Sequence, residues 1–369
     1  MRLITTNFVQ ESATVITASS SNVNFPASNV GHSFRSKTWR STGTFSVAVG
    51  TSKIDFKESG GGAQLTATLS SNTYTPATLA TEIKTAMEIA GAATYTVTYS
   101  STTGLWTIAS DGAYLSLLNN TGTNQATNAL KNHCGFANSD RTGALTYTGP
   151  TISIHSNEGV IFDLVTTEDI NSVVLLWPKE DGIQLSASAV VKIQANATNV
   201  WSSPSVNQTL TINNTYETYS HYFSTAQSYR YWRVEITDPA NANLYVNLGV
   251  VVLGMSESID SADNGFKYNL IDKSVISRTD YGNEYIDEYP TIANLELNFE
   301  VMDYSDIQIL EAAYIANGTR KSIFIALDSA ATVYNKDHFS IYGKMESNFD
   351  VGHINYNLFK TSLKIRETL

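Results

Sequence analysis

The chain has 369 residues, 42% of them apolar, and a formal net charge of −11. That length suggests about two to three domains with real cores, and the 15% charged share is well below the usual ~25%. No basic excess speaks for binding nucleic acid by attraction, the lone Cys134 excludes an intramolecular disulfide, and no run approaches the ~20 apolar residues of a membrane helix.

The opening MRLITTNFVQESATV shows no signal-peptide layout. Thr14 to Thr17 reads as a strand. Residues 26–43, PASNVGHSFRSKTWRSTG, read as a long polar loop running into a strand that carries Trp39. Trp39 is either a core plug or an aromatic at a sugar-binding tip.

Residues 46–149 read as a separate small α+β unit. Ile54 to Lys57 and Gln64 to Leu69 are expected strands around Gly60-Gly61-Gly62, which lacks the Lys-Ser/Thr of a phosphate loop. Thr75-Pro76 opens a helix with Thr as N-cap and Pro at the first position. Leu79, Ile83, Met87 and Ala90 line its inner face and Gly91 stops it. Tyr95 to Tyr99 and Leu105 to Ile108 form a hairpin around Thr103-Gly104, and a short helix near Ala126 to His133 precedes Cys134. His133 beside Cys134 has no second Cys or nearby His to make a metal site, so a buried Cys is expected.

From residue 150 strands return. Val160, Phe162 and Leu164 alternate; Val173 to Trp177 and Val190 to Gln194 follow. Residues 195–227 read as a polar loop holding Trp201, Tyr216, Tyr219 and Tyr222, aromatics that either stack on sugar rings or brace the loop. Tyr229 to Gly254 reads as two strands joined by one polar turn. Trp232, Val234 and Ile236 point into a core, with Phe162 beside them, while Arg233 and Glu235 point out and serve packing. Leu244, Val246, Leu248, Val250 and Val252 mark the second strand's inner face, with Val251 and Leu253 covered from the other side.

The segment 256–265 reads as a linker. Ala293, Leu295, Leu297, Phe299 and Val301 then mark an amphipathic strand. Asp303 to Asn317 is a helix stopped by Gly318, with Ile307, Leu310 and Tyr314 inward. Lys321 to Leu327, His338 to Met345 and a long Ile354 to Ile365 complete the strands. Residues 256–369 hold 18 acidic and 10 basic side chains, a net of −8, against −3 for residues 1–255.

No catalytic constellation emerges. The six histidines never frame a metal helix, no Gly-x-Ser-x-Gly elbow occurs, and the acid pairs Glu168-Asp169, Glu180-Asp181 and Asp287-Glu288 fall in expected loops. No catalytic residue, metal or cofactor is expected, and the chain is not expected to be an enzyme.

ASNVGHSFRSKTWRSTG, NEGVIFDL, INSVVLLW and the pair YRYWRVEITD/YVNLGVVVLG resemble the strands of a discoidin-like (factor 5/8 type C-like) jelly roll. The inserted TYTPATLATEIKTAM and YTVTYSSTTGLWTIAS resemble a small domain of phage tail-tip and fibre proteins. Strand, helix, strand and returning strand after residue 256 resemble the tube-forming domain of phage tail-tube and distal-tail proteins. The fold class so implied is mainly β with a few helices. A discontinuous jelly roll spans 1–45 and 150–255, an α+β insertion spans 46–149, and a tail-tube-like β-sandwich with one flanking helix spans 256–369. The resemblance implies a virion structural protein of a phage tail tip or baseplate, made in the host cytoplasm. Its partners would be its own copies in a threefold or sixfold ring around the DNA channel, the tube, hub and fibre proteins, and a host surface glycan. No specific nucleic acid and no membrane are implied. An acidic lining of that channel would repel DNA phosphates and let the genome slide. The alternative is a carbohydrate-binding module recognising cell-surface glycans through Trp39, Trp201, Tyr216 and Tyr219.

Overall fold

Alternating Val160, Phe162 and Leu164, set against Trp232, Val234 and Ile236, build the first core of the computed structural model. The structure describes residues 1–100, 103–150, 158–212, 217–238, 241, 243, 245–259, 266–279, 283–327, 339–346 and 348–369. The chain is mainly β with a few helices. One antiparallel sheet runs Val206–Leu210, Val190–Asn196, Thr218–Thr237, Glu158–Leu176, Val250–Gly254. Val15–Ala18 pairs the first half of Glu158–Leu176, and Val250–Gly254 pairs its second half. Phe162 sits opposite Trp232, and both are fully buried. Register shifts between Asp163 and Glu168, where Val165 has φ +68°, divide the long strand in two.

This sheet corrects three expectations. The two strands of Tyr229 to Gly254 are not neighbours, because Glu158–Leu176 lies between them and bonds to both. Part of the polar stretch 195–227 is strand: Val206–Leu210 and the first half of Thr218–Thr237. Val206–Leu210 exposes Asn, Gln and Thr, and Ser220 and His221 sit among buried Tyr219 and half-buried Tyr222 and Phe223, so no apolar period of two survived to be read. Third, the inner face does not run unbroken from Val246 to Val252. Val246 and Leu248 face the first core, the strand breaks at Gly249, and beyond it Val251 and Leu253 face that core while Val250 and Val252 face away. Gly249 donates its N–H to Leu176 O at 2.9 Å. A Cβ on it would stand 2.6 Å from that oxygen and 2.9 Å from Arg35 O, so only glycine fits this backbone crossing.

The second core belongs to the insertion. Leu79, Ile83 and Met87 of helix Pro76–Ala90 pack on Ile54, Phe56 and Trp106 of the strands. Thr75 caps the helix through Thr78 N–H, with Pro76 at its first position. Glu58 accepts from the N–H groups of Ala92 and Ala93 and from the Tyr95 hydroxyl, tying the end of that helix to strand Lys53–Lys57.

The third core lies under an eight-stranded sheet. Its path is Ser256–Ser258, Arg2–Ile4, Ile323–Ala326, Ser340–Met345, Leu358–Glu367, Ile292–Asp303, Phe266–Ile271, with Val351–Asn355 beside Leu358–Glu367. Helix Tyr304–Asn317 covers one face through Ile307, Leu310 and Ala313. Residues 2–4, placed with the jelly roll by the sequence, form a strand of this sheet. The strand expected over Ile354 to Ile365 is two strands, turning at Tyr356-Asn357 where Asn357 has φ +57°. Val301 is exposed, because a register shift after Phe299 turns Met302 inward in its place.

The two sheets meet. Ile4, Phe324, Ala326 and Tyr342, on the face opposite the helix, pack against Val174, Leu176, Val250 and Val252 of the jelly-roll sheet. Apolar residues on both faces of those strands are thus covered on both faces. The first residues of the chain, in the second sheet, and Asn7, whose side chain bonds Val251 O and Leu253 N–H, lock the two together.

Candidate assembly arm and aromatic face

Strands Val275–Arg278 and Glu284–Asp287 form a two-stranded ribbon outside both large sheets. Ile276 pairs Ile286 and Ser277 pairs Tyr285. All eight residues are exposed: Val275 to 51%, Ile276 to 57%, Tyr285 to 63% and Ile286 to 54%. An Arg278–Glu284 ion pair closes its far end at 2.7 Å. A lone hairpin is marginal in water, and apolar residues on its two faces need something to cover them. The sequence reading missed it. Tyr285 and Ile286 are adjacent, so no period of two marks the strand, and the β-forming residues Val275, Ile276, Tyr285 and Ile286 were the available signal.

Exposed apolar side chains are concentrated in the same third of the chain. Of 22 exposed large hydrophobic residues described, 13 lie beyond residue 256, among them Phe266, Leu270, Tyr289, Ile315, Ile354 and Tyr356. A surface kept only for solubility has no reason to gather them there.

The aromatic candidates separate. Trp39 is fully buried, its indole N–H donating to Ser20 O at 2.9 Å, and Tyr219 is 7% exposed in the jelly-roll core. Their reading as ligand contacts is therefore corrected: both are core residues. Tyr216 lies outside the described residues. Trp201 is half-buried on the outer face of the jelly-roll sheet. Its N–H donates to Asn199 Oδ1 at 2.7 Å, and the Arg233 guanidinium lies over its ring at 4.8 Å. Arg233 also donates to Gln194 Oε1 at 2.7 Å and pairs with Glu235, which lies 3.8 Å from Lys192. Burial lowers the Arg233 pKa against the opposing pull of Glu235. The face offers one aromatic plate beside planar hydrogen-bonding groups. Trp232, Val234, Ile236 and Phe162 are buried as the sequence indicated.

Elsewhere the reactive groups are occupied. His133 bonds Thr51 through Nε2 at 3.0 Å, and its pKa is lowered by burial. Cys134 is fully buried and its thiol is pushed up, away from the reactive thiolate. Glu168 accepts from the Thr166 hydroxyl, Asp169 from Ser228, and Asp181 from Arg40. Among the described residues no three His, Cys, Asp or Glu stand where they could hold a metal ion.

No protein-family model matches the chain, and no curated protein matches it. Solved structures similar to it include the family 32 carbohydrate-binding module of C. perfringens NanJ in complex with galactose, at 8% identity and a TM-score of 0.30, covering 70% of this chain and 100% of that one. The family 32 module of AlyQ in complex with 4,5-unsaturated mannuronic acid is 19% identical with a TM-score of 0.21, over 28% of this chain and 73% of that one. The lectin domain of Lectinolysin complexed with Lewis B antigen is 22% identical with a TM-score of 0.22, over 27% of this chain and 67% of that one. At such TM-scores these likenesses carry no functional argument.

Proposed function

We propose that the chain is a self-assembling structural protein, a ring-forming component of a phage tail tip or baseplate. The observation that carries the reading is the Val275–Arg278/Glu284–Asp287 ribbon, whose apolar side chains stand exposed among the described residues. A neighbouring copy in a closed ring supplies that cover at every junction, which a cyclic arrangement does with one repeated contact. The C-terminal unit then forms a threefold or sixfold ring around the DNA channel. The insertion and the jelly roll face outward toward fibres, hub or host. The acidic surplus of residues 256–369 partly lines the channel. Catalysis forms no part of this role. Mass photometry and negative-stain imaging of the purified chain test it: discrete closed rings support it, and a monomer at all concentrations overturns it.

A second reading has its own observation. Trp201, framed by Arg233, Gln194 and Asn207, is an aromatic plate on an open sheet face, and it suits a carbohydrate-binding module. A glycan array on the wild type and a Trp201→Ala variant tests it. Loss of a specific signal in the variant supports it, and an empty wild-type array removes it.

A further inference from the structure

A polar groove of about 710 Å³ lies where residues 5–12 and 31–33 of the opening loops face residues 316–322 after the Tyr304–Asn317 helix. That volume is in the range of small-molecule sites, which favour domain junctions. Its walls are held from behind. Asn7 binds Val251 O and Leu253 N–H, and the Gln10 amide donates to Tyr342 OH at 2.7 Å and to His32 O at 3.1 Å. Opposite, Asn317 accepts from the N–H groups of both Arg320 and Lys321 at 3.2 Å and is itself anchored to Ala313 O.

Some of the groups that line the open space are uncommitted. The hydroxyls of Thr5, Thr6, Ser12 and Ser33 make no side-chain hydrogen bond among the described residues. Arg320 and Lys321 are exposed and make no ion pair among the described residues, although acids outnumber bases by 11 in this chain. Glu11 supplies one carboxylate across from them. No Phe, Tyr or Trp lines the groove, and the ring among its lining residues is the His32 imidazole.

We infer that this groove binds a saccharide unit bearing an acid group, a carboxylate or a phosphate. Arg320 and Lys321 take the acid group, whose charge they complement with charge-assisted hydrogen bonds. The free hydroxyls and Glu11 match the hydroxyl groups of a polyol, with Glu11 accepting from one of them. The inference stands apart from ring assembly, because no residue of the exposed ribbon lines the groove.

The test is calorimetric titration of the full chain with three probes: oligogalacturonate, poly(glycerol phosphate) and a neutral galactan oligomer. An acidic probe should bind, and added salt should weaken it. The first probe binding identifies a sugar carboxylate, and the second a polyol phosphate. The exposed pair Arg320→Gln, Lys321→Gln should lose about tenfold or more in affinity, with its melting temperature unchanged and its oligomeric state equal to wild type. No binding of either acidic probe, equal binding of the neutral one, or undiminished binding by the folded double variant each overturn the inference.

Discussion

The Arg35 guanidinium lies 2.7 Å from the Glu367 carboxylate, with side chains only 3% and 5% exposed. One residue sits in the jelly roll's opening loop and the other at the end of the last strand, 332 positions apart. Arg35 also donates to Trp177 O and Glu217 O, and Glu367 accepts from Lys179 at 2.6 Å and from Ala293 N–H. Burial pushes the Arg35 pKa down while Glu367 holds it up. The pair sets the docking of the two sheets at one point. Removing one partner strands a buried charge, so Glu367→Ala should destabilise the chain by about 3–5 kcal/mol in urea unfolding. Arg35→Met with Glu367→Leu should recover only part of that loss: it removes the stranded charge but leaves Ala293 N–H and Trp177 O without their partners. A single variant as stable as wild type would mean that water reaches the pair.

Gly249 is held between two carbonyls. Gly249→Ala would drive a Cβ to 2.6 Å from Leu176 O, where backbone on both sides cannot give easily. A loss of about 1–3 kcal/mol is expected, typical of overpacking. Gly61→Ala, with nothing near it, is the control and should be close to neutral.

The two tryptophans once grouped as ligand contacts should part in the test tube. Trp39→Ala empties a fully buried site and should cost about 3–5 kcal/mol. Trp201→Ala removes a half-buried ring under Arg233 and should cost about 1 kcal/mol or less, the scale of an exposed cation–π contact. Equal losses in thermal melts would contradict the placement of Trp201 on the surface.

The sequence carried what short-range periodicity can carry. The Pro76–Ala90 helix with its Thr75 cap was legible, as were the Phe162 and Trp232 strands, because each alternates or repeats within a few residues. Thr218–Thr237 was only half legible, since its first half mixes Ser220, His221, Ser224 and Thr225 with Tyr219, Tyr222 and Phe223 at no apolar period of two. Arg2–Ile4 could not be assigned to its sheet, because its partners lie more than 250 residues away. Arg35 and Glu367 are invisible for the same reason. For the candidate surfaces, Trp201 is half-buried on the outer face, while Trp39 and Tyr219 followed the commoner fate of large aromatics and fill cores.

Acid should loosen the insertion in two steps. Burial lowers the folded pKa of His133, so as pH falls the unfolded chain takes the proton first, near its ordinary value of about 6.5. The stability that neutral His133 contributes is full above that value and is lost as pH falls toward the lower folded pKa. Burial works upward on Glu58, but the N–H groups of Ala92 and Ala93 and the Tyr95 hydroxyl leave its pKa below the usual range. Its contribution is present above the ordinary carboxylate value of about 4.3 and disappears as pH falls through its own. Melts of wild type and His133→Gln across pH 7 to 5 check the first step, counted as about one proton. Parallel slopes in that window would contradict it.

The most direct test of assembly is the mass distribution of wild type beside Ile276→Asp, Ile286→Asp. These two cross-strand residues are exposed, so the double variant should fold as wild type does. Charges there cannot be desolvated against a neighbouring copy without a large penalty. The account predicts closed threefold or sixfold rings for wild type and folded monomers for the variant. Wild-type monomers, or rings untouched by both charges, would contradict it.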